Sequence, residues 1–442
     1  MATFDELIAE GTLLVSDGYR AKNSELGGSG LIFLRAGHVT DTEINFGGVD
    51  RFHAELSSKV ASKLSRPGDT IITTKGNSTG RTAFVGQEMP TFVYSPHLSF
   101  WRSLDHDKIE PGFLRAWSRG QEFQTQLRAM STSTDMAPYL SLVDQKRLRI
   151  TLPSIHDQRS IARILGALDD KIELNRKTNE TLEAMARALF KSWFVDFDPV
   201  RAKAEGRAPS GMDAETAKLF PSELVESELG PIPKGWRVGS VGDLVTLKRG
   251  TTYKGALVGQ PGPALLGLGS IKPGGGFRKN GFKTYGGECP PDLMLRPGDM
   301  YVSLKGATKD GEMIGSVARV PRSVPSGRLT QDTVRLELRE SFFATWLYRL
   351  LVTPEYRAYC AGRAMGSAVV ALSRDDFLGY PAVLPSAFVL ERFNAIIQPL
   401  EQRTEQNDAE SDTLAELRDA LLPRLLSGEL PVVSGAEEAA TW

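Results

Sequence analysis

Two aspartate and lysine pairs are the chain's nearest approach to a catalytic pattern. Asp69 stands six residues before Lys75, and Asp299 six before Lys305, which is the outer spacing of a metal-dependent Asp…Glu-x-Lys nuclease site. Such a site needs a further carboxylate two positions before the lysine to help hold Mg²⁺. Thr73 and Ser303 occupy those positions, so the carboxylate pair is missing twice. Gly76-Asn77-Ser78-Thr79-Gly80-Arg81-Thr82 approaches a phosphate-binding loop, but it is one residue short between the glycines and carries Arg where Lys is needed. A DNA methyltransferase motif would end Asn/Asp-Pro-Pro-aromatic; Cys289-Pro290-Pro291-Asp292 has neither end. Gly267-Leu268-Gly269 and Gly274-Gly275-Gly276 read as turns. Cys289 and Cys360 lie outside any Cys-x-x-Cys pair, and the five histidines form no ligand-spaced cluster, which argues against a disulfide framework or structural zinc. No catalytic residue, metal site or bound cofactor is expected of this chain.

What the same segments offer instead is polar contact. Lys75, Asn77, Ser78, Thr79 and Arg81 form a glycine-flanked loop, and Lys305 with Lys309 opens its counterpart, which runs to Gly315. Small residues let backbone amides approach phosphates, while Asn, Ser, Thr and Arg side chains also reach base edges. The plain alternative is a pair of ordinary hairpin loops. A second candidate DNA-binding set is Ser131-Thr132-Ser133-Thr134 with Met365-Gly366-Ser367, where hydroxyls serve equally well as helix caps. The net charge of −1 argues against a polyanion partner, but it hides a partition. Residues 230–384 hold 21 Lys and Arg against 12 Asp and Glu, whereas residues 1–150 hold 17 of each. The second region is therefore the better electrostatic candidate.

The elements that position these loops are written twice. Arg66-Pro67-Gly68-Asp69 recurs as Arg296-Pro297-Gly298-Asp299, Lys75-Gly76 as Lys305-Gly306, and Leu152-Pro153-Ser154 as Leu384-Pro385-Ser386, at offsets of 230 to 232 residues. This period is far too long for a solenoid and marks a duplicated module of domain size. Each module opens with short β-prone runs, such as Ile71-Ile72-Thr73-Thr74 and Met300-Tyr301-Val302-Ser303, followed by helical patterns at Pro111 to Met130 and Ser341 to Cys360.

Each module closes with a long helix. From Asp157 to Phe194 there is no Pro, and a heptad seam runs through Ile161, Leu165, Leu168, Ile172, Asn175, Asn179, Leu182, Ala186, Leu189 and Trp193. Adding 232 gives Phe393, Ile397, Leu400, Thr404, Asn407, Ser411, Leu414, Arg418, Leu421 and Leu425. Two such stripes most simply pack on each other, and an antiparallel pair would oppose Asn175 and Asn407. The alternative is that each helix packs on its own module. A continuous helix from Asp157 to Phe194 would span on the order of 55 Å, enough to hold two reading heads apart.

Repeat and seams together resemble the specificity subunits of type I restriction-modification enzymes, over nearly the full chain. The carrying motifs are Leu152-Pro153 with Gln158-Arg159, Leu168-Asp169-Asp170-Lys171-Ile172, Asn179-Glu180-Thr181-Leu182-Glu183, Leu189-Phe190-Lys191-Ser192-Trp193-Phe194 and Ile232-Pro233-Lys234-Gly235-Trp236. The first module lacks an Ile-Pro-x-Gly-Trp opening, and the second has Glu391-Arg392 in place of Gln158-Arg159. The resemblance implies an α+β chain with two mixed target-recognition domains joined by two long antiparallel coiled-coil helices in a pseudo-twofold repeat. The expected divisions are 1–150 (first recognition domain), 151–197 (first long helix), 198–232 (linker), 233–385 (second recognition domain), 386–428 (second long helix) and 429–442 (flexible tail). It further implies a noncatalytic subunit that reads a split target in double-stranded DNA and binds two methyltransferase subunits and restriction/translocase subunits. S-adenosylmethionine, ATP and Mg would sit on those partners. A modification-only system and a protein scaffold with little DNA contact are the alternatives, the latter disfavoured by the basic second region. No apolar run suits a membrane span and Met1 to Glu10 is unlike a secretory leader, so a cytoplasmic location is expected.

Overall fold

The computed structural model describes residues 1–40, 44–131, 139–306, 311–366 and 370–431. The chain divides into two compact units: residues 1–174 with 411–442, and residues 175–410.

The first unit carries seven strands that frame its site: β1 (Leu13–Asp17), β2 (Ile32–Leu34), β3 (Asp50–Arg51), β4 (Thr70–Thr73), β5 (Thr82–Phe84), β6 (Phe92–Tyr94) and β7 (Leu98–Ser103). Four of them form an antiparallel sheet in the order β1-β7-β4-β5, with Ile71 opposite Phe100 and Ala83. β2 pairs in parallel with β6 and antiparallel with β3 in a second small sheet. The strands are short and rich in β-branched and aromatic residues, and both faces of β4 and β7 are buried, their Thr, Ser and Arg side chains included.

The second unit repeats this plan with β8 (Val245–Arg249), β9 (Ala264–Leu266), β10 (Lys283–Thr284), β11 (Met294–Leu295), β12 (Met300–Ser303), β13 (Val317–Arg319), β14 (Gly327–Leu329) and β15 (Thr333–Leu338). Its main sheet runs β8-β15-β12-β13, matching β1-β7-β4-β5 strand for strand. The β2 and β6 parallel pair returns as β9 and β14.

Two 40-residue helices, Ile155–Phe194 and Ala387–Leu426, complete the fold and pack together. Ser154 starts the first by accepting a hydrogen bond from the Asp157 amide at 3.2 Å. Pro399 and Pro423 lie inside the second, each removing one amide donor, and helix assignment continues through both. Every seam position named from the heptads is buried or half-buried, from Ile161 to Trp193 and from Phe393 to Leu425, while off-seam Leu174 and Met185 are exposed.

The helices also enter the domain cores, so both packing modes occur. In the first unit, Phe4, Ile72, Trp101, Phe113, Trp117 and Phe123 cluster with Ile161 and Leu165 of one helix and with Leu422 and Leu425 of the other. In the second, Met300, Val302, Leu336 and Trp346 cluster with Phe190, Trp193, Phe194, Phe393 and Ile397. Each core thus holds the start of one long helix and the end of the other, which makes the pair antiparallel within each unit. The aromatics of the Leu189 to Phe194 motif are core anchors: Phe194 stacks edge-on to Phe393 at 4.9 Å and lies 5.9 Å from Trp236.

The stretch 198–232 is packed rather than extended. It holds the helices Asp198–Ala204 and Ala214–Lys218, and Val200, Phe220 and Ile232 are buried. Arg392, from the motif that departs from Gln158-Arg159, donates to Thr216 Oγ1 at 2.7 Å and Asp213 Oδ2 at 2.9 Å.

Candidate nucleic-acid interface

The Asp…Lys pattern resolves into a structural acid and a surface cation. Asp69 is fully buried and receives Nε and Nη2 of Arg102 at 2.6 and 2.7 Å, the Tyr94 hydroxyl at 2.7 Å and the Arg66 amide at 2.8 Å. Burial, and then the neighbouring Asp69 charge, push the Tyr94 hydroxyl far above its ordinary range. Both carboxylate oxygens of Asp69 are therefore engaged by the fold, Oδ1 by one donor and Oδ2 by three. Its repeat partner Asp299 accepts from the Arg296 amide at 2.8 Å and pairs with Arg335 at 3.4 Å. Gly68 and Gly298 hold φ of +92° and +93°, a conformation that lets the chain turn into β4 and β12.

Thr73 and Ser303, which stand where a nuclease would need its acid, anchor the loops. Thr73 Oγ1 donates to the Ser78 carbonyl and accepts from the Arg81 amide at 3.1 Å. Ser303 Oγ donates to the Lys305 carbonyl at 2.6 Å. Lys75 to Arg81 is accordingly the connection of the β4–β5 hairpin, tightened by Gly80 N to Thr73 O at 2.8 Å and Thr79 N to Gly76 O at 3.0 Å. Lys75, Asn77 and Arg81 are exposed on it, and Ser78 and Thr79 are half-buried.

The two lysines occupy equivalent places. Lys75 bridges Tyr139 and Lys305 bridges Ala371, in both cases antiparallel, and the flanking amides of Leu140 and Leu372 donate to Thr74 and Leu304 carbonyls at 2.9 Å. Their electrostatics differ. Lys75 has no ion pair among the described residues, whereas half-buried Lys305 lies 3.4 Å from Asp332. The bridges bring an exposed Tyr139 beside Lys75, and Met365, bridged to Ala371, beside Lys305. Sequence reasoning passed over Tyr139 and Asp332, because each meets its lysine by pairing across more than 20 residues and neither belongs to a local motif. Gly366 is exposed with φ of +126°. Ser131 ends the helix Gln121–Ser131, while Thr132, Ser133, Thr134, Lys309 and Ser367 lie outside the described residues.

The acids at equivalent places in the two long helices make a second repeated geometry, again internal to each unit. Asp169 binds Arg115 at 2.6 Å, Arg119 at 2.8 Å and Arg418 at 2.9 Å. Burial raises the Asp169 carboxyl, but Arg115 and Arg119 outweigh it and hold the group below its ordinary value. At the 232-residue equivalent, Glu401 binds Arg319 at 2.8 Å and Arg349 at 3.4 Å, and Arg349 also reaches Glu183 at 2.6 Å. Arg119 and Arg349 are themselves 230 apart, a signal the sequence carried. These ion pairs fasten each domain to its long helices. Among the described residues, no group of three or more His, Cys, Asp and Glu is placed to hold a metal, and no helix is long and apolar enough to cross a membrane.

Comparison with known proteins points the same way. A family profile described as "Type I restriction modification DNA specificity domain" matches residues 31–184. The chain is 26% identical to the type I restriction enzyme HindI specificity subunit of Haemophilus influenzae, covering 90% of this chain and 94% of that one. It is 24% identical to the MjaIX specificity subunit of Methanocaldococcus jannaschii, over 87% of this chain and 82% of that protein. The crystal structure of a type I restriction-modification S subunit from M. genitalium shares the fold, with a TM-score of 0.55 and 14% identity over 96% of this chain and 95% of that one. With its duplicated α+β domains and paired long helices, the chain carries a type I restriction modification DNA specificity domain over residues 31–184 and is similar along most of its length to type I restriction enzyme specificity subunits.

Proposed function

We propose that this subunit reads a bipartite DNA target, one half-site through each unit, and positions two methyltransferase subunits and the restriction/translocase subunits on it. The observation that carries this reading is the structural duplication: each unit places a lysine at the same step after an equivalent strand, bridged to an equivalent partner, Lys75 to Tyr139 and Lys305 to Ala371. Phosphate contacts from Lys75 and Lys305 would set orientation, while Asn77, Ser78, Thr79 and Arg81 have the donors and acceptors for base edges. Ser131, Thr132, Ser133, Thr134, Lys309, Gly366 and Ser367 remain proposed contacts on the same grounds of polarity and position. S-adenosylmethionine, ATP and Mg belong in this reading to the partner subunits, and the assembly works on DNA in the cytoplasm.

The test is methylation mapping in a genome expressing the chain with its cognate methyltransferase. The expected motif has two defined halves and an unspecified spacer. Exchanging residues 233–383 for the corresponding domain of a relative should then change one half only. A continuous motif, or a change in both halves, would sink the bipartite reading.

A further inference from the structure

The repeated ion-pair geometry is charge-balanced in one unit and short of carboxylate in the other, although Arg349 Nε, like Arg115 Nε, is buried without an acceptor. In the second unit, two arginines, Arg319 and Arg349, face two glutamates, Glu183 and Glu401. In the first, three arginines, Arg115, Arg119 and Arg418, converge on the single carboxylate of Asp169. These residues line a cavity of about 30 Å³, walled also by Gly112, Leu165, Gly166 and Leu422. The residues equivalent to the two glycines are Phe342, 230 positions on, and Gln398, 232 on. Phe342 is packed against the second core.

We propose that this cavity is a binding site for a small monovalent anion of halide size. Three guanidinium groups offer far more N–H donors than one carboxylate has lone pairs. Arg115 Nε is buried with no hydrogen-bond acceptor, and burial holds that guanidinium below its ordinary value in spite of Asp169, which marks a cation short of counter-charge. The outlying carboxylate partner is Asp419, which pairs with Arg418 at 2.7 Å and is two-thirds exposed, and exposed Asp170 adds a further, solvent-screened charge. The volume selects the ligand class: a cavity that holds one water needs roughly 10–15 Å³, so this one admits a monatomic anion and excludes a phosphate or nucleotide. Gly166 supplies the opening. It sits inside a long helix, where Gly is less favourable than Ala by about 1 kcal/mol, and a Cβ there would meet nothing within 4 Å.

Bromide is the probe. Crystals of the full chain grown in sodium bromide should show an anomalous peak between Arg115, Arg119 and Arg418. In solution without DNA, at fixed ionic strength, replacing gluconate by bromide should raise the thermal midpoint saturably; at ten times Kd the folded state gains a factor of about 11 in its equilibrium constant. Gly166→Leu should remove both signals by filling the space, and Gly166→Ala should keep the fold while weakening them. A wild-type cavity without anomalous signal holds water and overturns the proposal, whatever the fate of the leucine variant. So does a bromide-dependent midpoint that is the same in wild type and Gly166→Ala.

Discussion

Asn407 Nδ2 donates to Asn179 Oδ1 at 2.8 Å across the antiparallel helix pair, and Asn175, 232 residues before Asn407, donates to the Asn407 carbonyl at 3.3 Å. Asn175 and Asn407 are 2% and 1% exposed, so the polar step in an otherwise apolar seam is buried and hydrogen-bonded. Slipping either helix by one heptad would face these amides with Leu or Thr, leaving them unpaired at a cost of about 1–3 kcal/mol each. The pair therefore fixes register.

Asn407→Ala should lower stability by about 1–3 kcal/mol, because it deprives half-buried Asn179 Oδ1 of this donor and empties a buried seam position. The double change of Asn175 and Asn407 to Leu should restore or raise stability but relax register. Denaturant titration reads the first, and cysteine cross-linking across the pair reads the second. A double variant with one unshifted cross-linking register would show that the asparagines do not specify alignment.

The two Asp–Arg turns should differ in weight. Asp69 and Arg102 side chains are 0% and 10% exposed, whereas Asp299 and Arg335 are both 26% exposed with a longer separation. Asp69→Ala strands a buried guanidinium and should cost about 3–5 kcal/mol. Asp299→Ala should cost about 1 kcal/mol, as expected of a part-exposed pair. Equal losses in calorimetry would contradict the burial argument.

Lys75→Ala should weaken DNA binding and reduce the slope of log K against log salt by about one, as for loss of one phosphate contact. Lys305→Ala should do less, since Asp332 already offsets its charge, and Asp332→Ala should strengthen binding. Titrations of the assembled methyltransferase at several salt concentrations check this. Unchanged affinity in Lys75→Ala would reduce its hairpin to a structural turn.

Much of this architecture was legible in the sequence because it is written at fixed offsets. The heptad seams located the helix pair and placed Asn175 opposite Asn407, since burial in a long helix imposes a period that residues alone reveal. The loops were harder. Lys75 and Lys305 look alike in sequence, yet among the described residues only Lys305 has an ion-pair partner, because Asp332 arrives from a hairpin 27 residues downstream. The stretch 198–232 reads as a linker by its prolines, but Val200 and Phe220 are buried, and turn-forming residues say nothing of what lies beneath the turn. Pairings between strands and across cores depend on tertiary register, which composition does not encode.

Asp169 should link stability to pH. Its folded carboxyl lies below the ordinary value, so its contribution is fully present above the unfolded pKa of about 4 and is lost as pH falls through the lower folded value. Asp169→Asn should cost about 3 kcal/mol at neutral pH, the lower end for a broken buried pair because its arginines are about one-fifth exposed. The gap between wild type and variant should narrow below pH ~4. A gap independent of pH would mean that packing of the side chain, not its charge, fastens the domain to the helix.

The long helices should also set the spacer between half-sites, which is a stronger demand on them than holding the fold. One heptad inserted after Leu174 and one after Glu410 preserves the apolar seam, because seven residues return each stripe to the same face. Each insertion adds roughly 10 Å of helix, against ~3.4 Å for a base-pair step. The unspecified spacer should grow by about one to three base pairs, and each half-site should keep its sequence. A single insertion is the control, since it lengthens one helix only, throws the seam of 155–174 against 411–426 out of register with that of 175–194 against 387–410, and should impair assembly rather than lengthen the spacer. Methylation mapping of both variants decides the matter: an unchanged spacer in an active complex with both insertions would show that the distance between half-sites is set elsewhere.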